Sequence, residues 1–307
     1  MVFPIAGGNE SKGYEISNSL RFNDGDSPIL TRTPSSAGDT QKFTYSTWFK
    51  RSVISSESYP FLNAGSNASN YFRLNFESND TIGAFSVSGG STDFEYATTQ
   101  VFRDPSAWYH LVFAVDTTNG TEGNRLRLYI NGSEVTSFGT ETHPSQNLST
   151  DINGTTAHYI GRRTPANDGF YDGYLTETHL VDGSQLAPTS FGEFDDNGVW
   201  VPIKYTGTYG TNGYFLQFKQ TGTSQNSSGI GADTSGNDHH WAVTNLAATD
   251  VTTDTCTNNF ATMNPLGGAT SSGKWTFSEG NTQIQQNDNG NWRATGSTMA
   301  VANGKWY

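Results

Sequence analysis

RLRLYINGSEV, residues 125–135, decides the fold class. Leu126, Leu128 and Ile130 fall on one side and Arg125, Arg127 and Tyr129 on the other, the two-residue period of a half-buried strand. A helix would scatter both sets. Asn131 and Gly132 both tolerate positive φ, so the run predicts a type I′ turn with Ser133 to Val135 starting the return strand.

The same alternation recurs outward from this hairpin. SLRFNDGDSPILTRT at 19–33 reads as strand, Asp/Gly turn, strand; KFTYSTWFKRS at 42–52 sets Phe43, Tyr45 and Thr47 against Thr44, Ser46 and Trp48. NYFRLNFES and TIGAFSVSG within 70–89 form a further pair joined at Asn79-Asp80. WYHLVFAVDTT at 108–118 is apolar on both sides, as a central strand is. HYIGRR at 158–163 and FYDGYLTETHLVDG at 170–183 add two more. Charged residues are only 15% and 34 residues are glycine, which suits short strands and tight turns. An all-β chain follows.

Composition also excludes. A net charge of −12 argues against nucleic acid, because phosphate binding needs a basic surface that releases counterions. No stretch approaches the roughly 20 apolar residues of a membrane span, so membrane insertion is not expected. The start, MVFPIAGGNESKG, lacks the basic opening and long apolar run of a signal peptide and reads as a docking arm over 1–14. With the single Cys256 no intrachain disulfide can form, and that thiol is expected to be buried or inert.

Several separated segments then arrive in a familiar order. Trp108 to Asp116, Leu128-Tyr-Ile-Asn-Gly132, Tyr159-Ile-Gly-Arg162 and Phe170-Tyr-Asp-Gly-Tyr-Leu175, after Leu20-Arg-Phe-Asn-Asp-Gly-Asp26, resemble the core of laminin-G-like, concanavalin-type jelly rolls. The resemblance covers about residues 15–220 and implies two packed antiparallel sheets. The wording of TRTPSSAGDTQKFTYSTWFKRS, VFRDPSAWYHLVFAVDTT, SFGEFDDNGVWVPIKYTGTYGTNGYFLQF and TNNFATMNPL is similar to structural proteins of tailed bacteriophages, commonly fibre or adhesin components. That implies a virion protein assembled in a bacterial host's cytoplasm, contacting other virion proteins, and a homo-oligomer, trimeric by analogy. After the jelly roll, residues 221–240 are polar and glycine-rich and read as a linker. Residues 241–307 read as an extended, strand-rich segment that packs on the jelly roll or on another copy, or begins a truncated second β domain.

Candidate chemistry is sparse. Glycanases of this fold type need two carboxylates across a cleft. Asp93 and Glu95 form a lone pair in a Ser/Thr-rich segment, Glu177 and Asp182 lack the alternate spacing, and the reading is non-enzymatic. His110 lies in a core-like strand with no serine elbow in the sequence. Asp233, Asp238, His239 and His240 suggest a transition metal only superficially, because adjacent histidines on a strand point to opposite faces. Calcium is the metal the resemblance implies, at Asp24 and Asp26 around Gly25 or at Asp168 and Asp172 around Gly169. For a ligand, the loop 164–174 combines rings and amides as sugar sites do, and Asn167, Asp168, Tyr171 and Asp172 are the candidates. Two functions result: an adhesin whose jelly roll recognises a host surface glycan, or a decoration or connector protein that binds no sugar.

Overall fold

The structure is a computed structural model that describes residues 13–54, 59–163, 168–266, 275–287 and 294–300. In chain order its strands are β1 (Ser19–Phe22), β2 (Ile29–Arg32), β3 (Lys42–Arg51), β4 (Tyr59–Asn67), β5 (Asn70–Phe76), β6 (Thr81–Ser88), β7 (Ser91–Val101), β8 (Trp108–Asp116), β9 (Leu126–Ile130), β10 (Ser133–Glu134), β11 (Phe138–Thr142), β12 (His158–Ile160), β13 (Gly173–Asp182), β14 (Gly192–Phe194), β15 (Trp200–Pro202), β16 (Tyr214–Leu216), β17 (Ala242–Thr244), β18 (Val251–Thr252), β19 (Trp275–Ser278) and β20 (Gln283–Gln286). Two eight-stranded antiparallel sheets form the body. The first runs β10-β9-β8-β3-β13-β1-β18, with β16 also pairing β13; the second runs β11-β7-β6-β5-β4-β12-β2-β17. The all-β jelly-roll expectation is met.

Alternation builds the core. Phe43, Tyr45 and Phe49 of β3, Leu111, Phe113 and Val115 of β8, and Leu126, Leu128 and Ile130 of β9 face inward from the first sheet. Phe72, Leu74 and Phe76 of β5 and Phe94 and Tyr96 of β7 meet them from the second. Phe49 stands at the centre, stacked on Tyr109 at 5.3 Å and tilted on Phe61 at 5.0 Å. Burying each such ring contributes about 1.5–3 kcal/mol, so register is strongly specified. In the opening hairpin Asn131 and Gly132 take φ of 48° and 77°, both positive as a type I′ turn requires.

Residues 221–240 differ from expectation, whereas for 241–307 packing on the jelly roll or on another copy is expected. Residues 221–240 are not a linker: Ile230 is fully buried in the sandwich core, and Asp233 accepts the Phe215, Ser235 and His239 backbone N–H groups. A segment with few apolar residues is held here by one carboxylate that satisfies three backbone donors. Trp241 follows into the core, and β17 and β18 join opposite sheets, so the sandwich extends beyond residue 220. Most of the expected docking arm lies outside the described residues. Its last residue, Tyr14, packs on the chain's own first sheet.

Candidate functional site

Each sheet has an outer face, and the two faces are treated differently. The first sheet's is sealed. Val112, Ala114, Tyr129 and Val181 are covered by Phe191, Leu186, Tyr205 and Tyr209, and Trp48 is covered by Ile16 and Trp200 with Tyr14, Trp108 and Cys256 around them. Beneath this cover lies a buried polar row. Ser46 Oγ is 2.8 Å from His110 Nε2, and Trp200 Nε1 donates to His110 Nδ1 at 3.0 Å. An indole N–H can only donate, so Nδ1 carries no proton and neutral His110 donates from Nε2 to the serine. A base acting on that hydroxyl would need Nε2 bare, so the pair is not a nucleophile with its base. Burial pushes the His110 pKa down to about 3, which keeps the ring neutral. Glu177 enters the same layer from a bulge in β13, at φ 47°, and accepts the Tyr14 hydroxyl at 2.9 Å.

Among the described residues, no comparable apolar cover lies on the second sheet's outer face. Cross-strand register places Glu95, Phe85, Arg73, Asn63, Tyr159 and Thr31 in one row across six strands. Glu95, Phe85, Arg73, Tyr159 and Thr31 are half-buried, and Asn63 is the buried floor between Arg73 and Tyr159. Arg73 lies against two rings, its guanidinium carbon 4.6 Å from the Tyr71 centroid and 5.7 Å from that of Phe85, and it donates to the Tyr71 hydroxyl at 3.0 Å. Arg162 covers Tyr159 at 4.3 Å. Neither amide atom of Asn63 has a hydrogen-bond partner, nor do Arg73 Nε and Asn75 Oδ1. Gly83 shapes the floor: a Cβ there would fall 2.6 Å from the Phe85 ring and 2.7 Å from Glu77 Oε1, so only glycine lets these side chains lie flat over the strand. Burial raises the Glu77 carboxyl above its usual range, opposed by the Asn75 amide, which donates to it at 2.6 Å. Flat rings, a planar cation and amides on a rigid sheet are the groups that grip polyhydroxylated rings.

The residues singled out from sequence fare unevenly. Tyr171 is a correction: it is fully buried in the core, its hydroxyl donating to the Lys50 carbonyl at 3.1 Å, so no sugar can stack on it. Asp168 forms a bidentate pair with Arg163 at 2.8 and 2.7 Å, which with a smaller contribution from Arg73 holds its carboxyl below the usual range. Asn167 lies outside the described residues. The calcium candidates regroup: Asp24 lies beside Asp172, while Asp26 accepts the Asn23 amide and Asp168 is engaged by arginine. Burial, with the Asp24 charge second, pushes the Asp172 pKa well above the carboxylate range. Asp172 Oδ1 and Ser52 Oγ are buried without partners, and the two residues adjoin through Ser52 N–H to the Asp172 carbonyl at 3.3 Å. Such orphaned oxygens beside paired carboxylates suit a hard cation. Asp233, His239 and His240 are engaged with one another and with the Gly213 carbonyl and Phe215 N–H, and among the described residues no group of three His, Cys, Asp or Glu is placed to hold a metal.

Residues 23–188, more than half of the chain, match the family model described as the concanavalin A-like lectin/glucanases superfamily, and the chain belongs to that superfamily. Among solved structures it is similar to a candidate carbohydrate-binding protein from Bacteroides ovatus, at 14% identity and TM-score 0.52, covering 78% of this chain. The chain spans 60% of that protein's length. It is also similar to domain 4 of a Geobacillus stearothermophilus arabinanase in complex with arabinotriose, at 16% identity and TM-score 0.40 over 59% of this chain and 81% of that one. No curated protein matches it. The fold is thus the one shared by lectins and glucanases.

Proposed function

We propose that this chain is a non-enzymatic glycan-binding domain whose ligand lies on the outer face of the second sheet, across Tyr71, Arg73 and Phe85, with Asn63 beneath. One observation carries this: the first sheet's outer face is sealed by the chain itself, whereas among the described residues the second presents an uncovered row of rings and guanidinium over a buried amide. The likeness in fold to a candidate carbohydrate-binding protein supports the reading. We set the binding in a virion, as a fibre or adhesin subunit recognising a host surface glycan; the wording of the sequence supports that setting. Calcium belongs to the proposal, held by Asp24 and Asp172 as a brace for the loop entering β13.

The test is binding of the purified chain to an array of bacterial surface polysaccharides, repeated with Tyr71→Ala and Arg73→Ala, and with Asp168→Ala as a control. Saturable binding lost in the first two and kept in the third supports the assignment. A folded chain that binds no glycan points to the connector reading. Glu77 and Glu95 also stand on this face, so the array is scored for bond cleavage as well. Hydrolysis abolished by Glu77→Gln would overturn the non-enzymatic reading.

A further inference from the structure

Lys50 ends the outward row of β3 on the sealed face and is only 1% exposed. Its Nζ lies 2.9 Å from Asp254 Oδ2, 2.9 Å from Asn259 Oδ1 and 3.1 Å from the Phe260 carbonyl. The Tyr174 ring is 5.7 Å from Nζ, and Trp108 Nε1 donates to Asp254 Oδ1 at 3.1 Å. Asn259 donates its Nδ2 to the Ser106 carbonyl at 2.8 Å, which aims its carbonyl oxygen at the lysine. An amine, an amide carbonyl and a carboxylate are therefore held together under an aromatic cover, in segments 209 residues apart.

We propose that Lys50 and Asn259 join in an intramolecular isopeptide bond, with Asp254 carrying the protons. Asp254 takes a proton from the lysine, and the free amine attacks Asn259 Cγ. A carbon–nitrogen bond forms to Nζ, Asp254 passes its proton to Nδ2 and takes the remaining one from Nζ, and the Cγ–Nδ2 bond breaks. Nδ2 leaves as ammonia and takes up the last proton. No other reactant is needed. Burial lowers the Lys50 pKa, which favours the nucleophilic amine, and holding the groups in contact replaces a bimolecular encounter. Asn259 is exposed, so ammonia has a path to solvent. The bond would fasten the segment 254–260, which covers the first sheet, to a central strand of that sheet. The single cysteine cannot supply such a fastening.

Intact mass of the denatured full chain, followed by peptide mapping, tests this. The expected mass is one ammonia below that of the sequence, with a branched peptide joining the Lys50 and Asn259 segments. Asn259→Ala, an exposed change, should restore full mass, and Asn259→Asp should lose one water instead of ammonia. Full mass in the native chain overturns the proposal, leaving Lys50 as a buried ammonium in an ion pair. So does an ammonia loss that maps to a succinimide at an Asn-Gly step such as Asn131-Gly132, with Lys50 and Asn259 on separate peptides.

Discussion

On the proposed reading, recognition turns on Arg73, whose guanidinium lies against Tyr71 and Phe85. Arg73→Lys keeps the charge and loses the plane. At about 0.5–2 kcal/mol for such a cation–ring contact, glycan affinity by calorimetry should fall roughly threefold to thirtyfold in both Arg73→Lys and Arg73→Ala. Equal affinity in the lysine variant would mean that charge alone is read. The signal for this site was present in NYFRLNF: once Phe72, Leu74 and Phe76 are assigned to the core, Tyr71, Arg73 and Asn75 must face out. What misled was loop composition. Tyr171 sits among sugar-friendly neighbours, yet Gly173 at φ 149° brings the chain back over it, and a Cβ at 173 would stand 2.8 Å from its hydroxyl. Such a close approach depends on a partner strand the local sequence does not name. His110 gives a residue-scale prediction on pH. Its folded pKa, about 3, lies below the ordinary 6.5, so the neutral buried ring contributes fully above 6.5. That contribution is lost as pH falls from 6.5 toward 3, on the order of several kcal/mol. His110→Gln should flatten the acid limb of a denaturant-midpoint titration; an unchanged limb would assign acid sensitivity elsewhere.

At the scale of elements, the β9–β10 hairpin was readable because its period and its Asn-Gly turn are both local. The cover over it was not. Residues 183–218 have no sustained period, and they fold because the outward side of β3 and β8 carries Trp48, His110 and Val112 that need burial. The two meet at Gly132, whose φ is 77° and where a Cβ would come within 2.3 Å of the Trp200 ring. Gly132→Ala should therefore cost about 2–4 kcal/mol, roughly 1–2 from the left-handed backbone and the rest from displacing Trp200. In a Trp200→Ala background only the backbone cost should remain. Chemical unfolding of the four chains decides it, and an unchanged penalty would show that turn and cover are not coupled.

Among the described residues the molecule is a sandwich with one covered and one uncovered side, and its margins are where the sequence was least informative. The stretch 221–240 looked like a linker because buried backbone satisfaction by Asp233 leaves no periodic trace. The Asp24–Asp172 pair was half visible: both residues were candidate ligands, but in separate pairs, since only the β1–β13 pairing brings them together. Their proximity makes a prediction for the chain as a whole. An acid whose folded pKa is raised binds its proton more tightly when folded, so Asp172 stabilises the fold at acid pH and loses that stabilisation as pH rises through the raised value. Calcium can replace the proton on Asp172. Thermal unfolding should therefore show calcium raising the midpoint at pH above the raised Asp172 pKa, by several degrees at saturation, and leaving it unmoved in acid. Asp172→Asn keeps a hydrogen-bond donor toward Asp24 and removes one charge, so it should abolish the calcium response without lowering the acid midpoint. A calcium shift that persists in Asp172→Asn would place the ion elsewhere, and no shift in the native chain at any pH would leave Asp172 as a buried acid that holds its own proton.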